Sequence, residues 1–273
     1  MVVGPGQRGD GGVGVGMRGS DRDAKRLLAA AYDKSADSFA DAADRLVYRH
    51  LARSLVDAVG VAQGPVLDVA AGTGAAGRHF TETVALDASL GQLRHNPARQ
   101  RVSADAERLP FRDNSLAAAV CLFGINHFPN PATAVSEMAR IAPVVGLTTW
   151  AKPEPSYAPK QVVLDVLGRH AGRTRSSVGE VIDALVERVG SAQAVRTLLE
   201  NVGLKVVVER VTVLVPWPGI EPFLDYRLSM ASTAGLVTDV TAVRREARAV
   251  LAALPEDELD WHAALIVGVG RRL

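Results

Sequence analysis

Short, unbroken apolar runs separated by helical stretches organise the first half of the chain. Runs near Val66, Val84, Val120 and Leu147 are apolar and rich in branched side chains, which predicts strands covered on both faces, and a short strand-like run lies near Val102. Helical stretches separate them, Ala132 to Ile141 being the clearest. Further on, LKVVVERVTVLV alternates well enough for a long strand, and HAALIVGVGRR reads as another. The pattern predicts an α/β fold with a doubly wound, mostly parallel, seven-stranded sheet.

The rest of the pattern is helical. From Asp21 to Val59, Leu46, Leu51 and Leu55 recur at near-helical spacing and Gly60 is a stop signal, which predicts a helical lead-in over residues 21–60. KPEPSYAPK is turn-rich, Ser177 to Val189 reads as a helix, and Ile220 to Leu254 offers an apolar face of Phe223, Leu224, Leu228, Val243 and Leu251. These are read as lid insertions, 153–190 and 216–260, over the carboxyl edge of the sheet, where open α/β sheets bind ligands. Residues 1–20 are glycine-rich with almost no apolar periodicity, so a disordered tail is expected, with Met17 an alternative start, before a single domain over 21–273.

VLDVAAGTG, from Val66 to Gly74, carries the chemistry. It runs a buried strand with an acid, Asp68, into a glycine turn where Gly72 and Gly74 let the backbone bend and approach a ligand. The same stretch contains a GxGxxG ending at Gly77, but one such match is weak, and Asp87 follows sooner than the ~20 residues a dinucleotide site requires. Asp68 would also have no role beside a pyrophosphate. Asp87 ends the next run, TVALDAS, where a parallel neighbour strand presents it to ribose hydroxyls, and Asp105 follows a third strand-like run in SADAERLPF.

Three acids after three strands, with a glycine turn after the first, make the region from Tyr32 to Trp150 resemble a class I S-adenosylmethionine-dependent methyltransferase. The branch is the small-molecule one that contains ubiquinone and menaquinone methyltransferase-like proteins. VLDVAAGTG, VALDAS, DAERLPFRDNSLAAAV and CLFGINHFPNP carry the resemblance in that order. It implies S-adenosyl-L-methionine as cofactor, with Gly72 and Gly74 under the methionine part, Ala70 in the same turn and Asp68 nearby. Asp87 would hold the ribose with Ala88 beside it, Asp105 and the backbone of Ala106 the adenine edge, and Leu122 would meet the cofactor through its backbone. In YDKSADSFADAAD, Tyr32 and Phe39 occupy aromatic positions that close over the cofactor in the family, although Phe39 is better read as packing. Two features depart from the family: Ala70 replaces its first glycine, and the connections from Asp68 to Asp87 and from Asp87 to Asp105 are short, Pro97 leaving little room for a second crossover helix.

His127, in INHF at the mouth of the fourth strand, is the candidate general base, though a histidine there also holds the loop in the family. The remaining histidines have no metal-ligand spacing, and no metal is expected. Cys121 reads as a buried thiol. In SYAPK, Tyr157 and Lys160 stand one residue closer than a short-chain dehydrogenase pair, and Pro159 argues against a helix. Arg244, Arg245 and Arg248 read as a solvated helix face, and Glu180, Asp183 and Glu187 as surface without basic partners.

At 273 residues and 48% hydrophobic, the chain can bury one sizeable core. A net charge of +1 gives no general attraction to nucleic acid or an anionic membrane, and GINHF replaces the NPPY-type loop of base-amino methyltransferases. No apolar segment spans a bilayer and no secretory signal is recognisable, so a cytoplasmic monomer or homodimer is expected. The reading is methyl transfer to oxygen or nitrogen of a small-molecule acceptor, a secondary metabolite. The alternative is a protein that binds the cofactor without methylating, as a cyclase or partner subunit.

Overall fold

Segments without a polar face must be covered on both sides, and the apolar runs of the first half accordingly lie side by side, with the polar run around Val102 exposed at the edge of the sheet. In the computed structural model, which describes residues 18–233 and 235–273, β1 (Val66–Val69), β2 (Thr83–Asp87), β3 (Gln100–Ser103), β4 (Ala118–Leu122) and β5 (Val144–Trp150) are parallel, in the order β3-β2-β1-β4-β5. β6 (Lys205–Val215) and β7 (Trp261–Arg271) extend the sheet as β5-β7-β6, with β7 antiparallel to both neighbours. The chain builds outward from β1 to β3, then returns to add β4 and β5 on the other flank. The strand order therefore reverses between β1 and β4, which opens a crevice at their carboxyl ends.

Helices cover both faces. α1 (Arg18–Lys34), the single turn α2 (Ala36–Ser38), a π-helical segment (Phe39–Tyr48) and α3 (Arg49–Val59) form the lead-in. α3 turns Leu51, Leu55 and Val59 toward β5 and β7, and Ala52 toward Ala75 and Ala76. α4 (Leu90–Arg94), capped by the Ser89 hydroxyl, is the short crossover expected after Asp87. α5 (Pro131–Ile141) links β4 to β5. α6 (Ala158–Ala171), α7 (Ser177–Val189) and α8 (Ala192–Glu200) fill the connection to β6, and α9 (Ile220–Ser229) and α10 (Val240–Leu251) that to β7. α9 packs on the π-helical segment and α7 on the loop after β4, so both insertions reach the carboxyl edge of the sheet. Among the described residues no helix is long and apolar enough to cross a membrane.

Several sequence expectations change. The tail expected over 1–20 lies outside the described residues up to Met17, as does that alternative start, and Arg18–Ser20 already belong to α1. Pro159 begins α6 instead of forbidding it, because a proline in the first helical turn removes an N–H that has no partner there anyway. Arg244 reaches Glu221 at 3.0 Å and Asp225 at 2.6 Å, and Arg248 reaches Glu221 at 2.5 Å, so these arginines clamp α10 to α9. Asp183 and Glu187 find bases outside their helix, Arg175 at 2.9 Å and Lys152 at 3.0 Å. Cys121 is buried, as read.

Gly146 on β5 sets how closely α3 approaches the sheet. A Cβ there would stand 2.6 Å from Val59 Cγ2 and 3.0 Å from Leu55 Cδ1. Gly146→Ala is expected to lose about 1–3 kcal/mol through overpacking, read from urea unfolding midpoints. An unchanged midpoint would mean that α3 lifts freely.

Candidate functional site

The glycine turn after β1 is held by carboxylates through its own backbone. Asp68, 1% exposed, accepts the Gly77 N–H at 2.8 Å, and a Cβ on Gly77 would come within 2.8 Å of the same oxygen. Asp87 accepts the Gly72 N–H through Oδ2 and the Ser89 N–H through Oδ1, both at 2.8 Å. Burial pushes the Asp68 carboxyl up to about 7, against the pull of the Gly77 N–H. Burial also raises Asp87, opposed by its backbone donors. Ala70 takes φ +54°, a left-handed conformation that costs an alanine about 1–2 kcal/mol. Gly124 faces it so closely that a Cβ there would lie 2.4 Å from the Ala70 Cβ.

A cavity of about 380 Å³ opens over this turn at the β1/β4 crevice. Of the residues singled out from the sequence, Tyr32, Asp68, Ala70, Gly72, Asp87, Ala88, Asp105, Ala106, Leu122 and His127 all line it. Gly74 does not. At φ +89° it faces Asn96 and Pro97, so it shapes the turn from beneath. Phe39 both packs, 5.3 Å from Tyr48, and lines the cavity.

The lead-in helices form the facing wall. Asp33 Oδ1 accepts from the Ser89 hydroxyl at 2.6 Å and the Gly91 N–H at 2.7 Å, tying α1 to α4. Lys25 bridges Asp105 at 2.8 Å and Glu107 at 2.6 Å. Arg78 donates to the Gly74 and Thr73 carbonyls at 2.9 and 3.2 Å and to Asp44 of the π-helical segment at 3.2 Å, coupling that rare backbone form to the glycine turn. Sequence reading missed Lys25, Asp33, Asp44 and Arg78. Their partners are dozens of residues away or are backbone atoms, and no local spacing announces them.

His127 and Tyr32 meet on the wall of the cavity, with the tyrosine hydroxyl 2.9 Å from Nε2. Nδ1 lies 3.2 Å from the Phe123 carbonyl oxygen, which can only accept. Nδ1 therefore carries the proton and Nε2 accepts from Tyr32. Part of the residue is reachable from the cavity, but its ring nitrogens lie deep enough that desolvation pushes its pKa down to about 4. The imidazole is neutral at pH 7. Burial raises the Tyr32 hydroxyl well above the usual tyrosine range.

The cavity fits an adenosyl cofactor. Buried Gln92 Oε1 on its wall has no hydrogen-bond partner, so an acceptor awaits a ligand donor, while Gln92 Nε2 is engaged with the Tyr32 carbonyl at 3.3 Å. Asp68, Asp87 and Asp105 bring carboxyl oxygens to the wall that can accept from hydroxyls and ammonium groups.

Known proteins agree with this geometry. A profile for the methyltransferase domain matches residues 67–147. The demethylmenaquinone methyltransferase of Renibacterium salmoninarum is 38% identical over 125 residues, 42% of this chain and 53% of that one, so the chain spans about half the length of that relative. The demethylmenaquinone methyltransferase of Streptomyces avermitilis is 30% identical over 177 residues, 61% of this chain and 75% of that one. In fold, the chain is similar to a protein of Anabaena variabilis assigned as a methyltransferase from an antibiotic biosynthesis pathway, with 15% identity, a TM-score of 0.59 and coverage of 84% and 99% of the two chains. The motif, the sheet that carries it and the breadth of the Streptomyces match lead to one conclusion: the chain belongs to the class I S-adenosylmethionine-dependent methyltransferases.

Proposed function

We propose that the protein transfers the methyl group of S-adenosylmethionine to oxygen of a small-molecule acceptor, with His127 as the base. The observation that carries this reading is the neutral His127–Tyr32 pair on the wall of a cavity whose floor is the acid-braced glycine turn. Asp87 holds the ribose, Asp105 and Ala106 the adenine side once Lys25 yields, Asp68 and Gly72 the methionine part, with Ala70, Ala88, Leu122 and Tyr32 in the wall. The bound cofactor supplies a methyl group on a sulfonium, a good leaving group for in-line displacement. Positioning and exclusion of water are what the chain adds.

A base of pKa about 4 draws protons only from an acidic partner. A phenol, enol or comparable acid therefore matches this base better than an alcohol does, and oxygen is favoured over nitrogen. The demethylmenaquinone named for the relatives is a small organic molecule, which supports this size class for the acceptor. Transfer within secondary metabolism, by a cytoplasmic monomer or homodimer that takes neither nucleic acid nor membrane as partner, completes the reading. The second reading, cofactor binding without methyl transfer, draws on the five-residue α4 and on the Lys25 bridge that engages Asp105.

Asp87→Ala is expected to weaken S-adenosylhomocysteine binding at least tenfold by calorimetry, and an unchanged affinity would remove Asp87 from the site. His127→Ala should lower turnover by 10²–10⁴-fold with cofactor affinity intact. In the parent protein, kcat/KM should fall away on the acid side near pH 4 instead of near 6.5, because burial lowers this histidine. Cofactor binding without turnover on any phenolic or enolic acceptor would favour the second reading. Asp68 governs stability in the opposite sense to an ordinary carboxylate. The folded group keeps its proton to about pH 7 while the unfolded one releases it near 3.8, so stability declines as pH rises through that window. Asp68→Asn should flatten the decline, seen as similar urea midpoints at pH 4.5 and 7.5.

A further inference from the structure

A second cavity lies behind the lead-in. It measures about 950 Å³ and is bounded by α1, the π-helical segment, the start of α7, α9 and α10. Among the described residues none lines both cavities. α1 turns Leu28 and Tyr32 to the cofactor cavity, and Ala31 and Lys34 to the second one. The π-helical segment divides in the same way, with Phe39 and Tyr48 on one side and Ala42 and Leu46 on the other. The lead-in is thus a partition between two cavities, and a ligand in the second occupies space that the cofactor does not need.

Charge distinguishes this cavity. Its charged lining consists of Lys34, Arg45, Arg173 and Arg244 against Asp41 and Asp225. Arg244 and Asp225 pair at 2.6 Å, and Arg244 also reaches Glu221 at 3.0 Å. Lys34, Arg45 and Arg173 form no ion pair among the described residues, which leaves three cations and one carboxylate, that of Asp41, around the same opening. All three are exposed, so a ligand meets their charges without any rearrangement of the fold. Like charges set around a concave, partly apolar surface focus the field and concentrate counter-ions there. Much of the remaining lining is apolar: Val178 is buried, and Leu46 and Leu228 are half-buried. The volume lies within the range of about 300–1,000 Å³ usual for small-molecule sites.

We propose that this cavity is a second ligand site for an amphipathic organic anion, with a carboxylate or phosphate head held by Lys34, Arg45 and Arg173. The apolar body of the ligand packs against Leu46, Val178 and Leu228. Guanidinium groups suit either head, because their paired N–H donors match two oxygens of a carboxylate or a phosphate. The site is separate from the cofactor cavity and independent of the acceptor and base assigned above.

The test titrates octanoate, octyl phosphate and octanol into the full chain by calorimetry, with and without saturating S-adenosylhomocysteine. The three probes share one alkyl chain and differ in the head. At least one of the two anions is expected to bind tighter than octanol by about tenfold or more, and the better head identifies the ligand as a carboxylate or a phosphate. The affinity should be the same with and without S-adenosylhomocysteine. The triple variant Lys34→Gln, Arg45→Gln, Arg173→Gln should lose the preference while keeping the parental urea midpoint, which reports an intact fold. Equal binding of anions and octanol by the parent chain, a preference that survives in the triple variant, or displacement of the anion by S-adenosylhomocysteine would overturn the proposal and leave the methyltransferase reading in place.

Discussion

Two carboxylates gripping backbone N–H groups hold the rest of the site in position. Asp68 fixes the far end of the glycine turn at Gly77, and Asp87 fixes its near end at Gly72. Both are buried where an ionised carboxylate is costly, and the hydrogen bonds return part of that cost. The arrangement demands a sequence with no side chain at Gly77, where a methyl group would strike the Asp68 oxygen. It also lets Ala70 hold its left-handed backbone, since the braced turn and the close approach of Gly124 leave no room to relax.

The opposite wall is built on different physics. Floor and sheet edge offer carboxylates suited to a cationic, hydroxyl-rich ligand, whereas the wall of Tyr32, Tyr48 and His127 offers hydroxyls, rings and a neutral imidazole. On the proposed reading, such a division separates two ligands, the cation-bearing donor toward the acids and the acceptor toward the imidazole. Burial makes the imidazole resist protonation, which on the same reading matches it to an acceptor already inclined to give up its proton.

The lead-in joins the two walls. α1 is tied to the sheet edge through Asp33 and Lys25, and the π-helical segment to the glycine turn through Asp44 and Arg78. Asp44 has only 3% of its side chain exposed, so losing its arginine partners would strand a buried charge. A π-helix spaces its side chains differently from an α-helix, and this segment sends both Phe39 and Tyr48 to the cavity.

The linear sequence was enough to settle the strands and the acids at their ends. A doubly covered strand must be continuously apolar, and a ligand-bearing turn must follow it, so VLDVAAGTG and VALDAS declare themselves locally. The same locality explains the gathering of Asp68, Asp87, Asp105 and His127 at one crevice, because parallel strands bring their carboxyl ends together. Only the tertiary structure decided which partners these groups have: that Asp87 holds the glycine turn, that Lys25 bridges Asp105, and that Gly74 faces away from the cavity. Those outcomes depend on distances between segments far apart along the chain, and burial, which sets the pKa of Asp68 and His127, is a property of the packed whole and of no short window of residues.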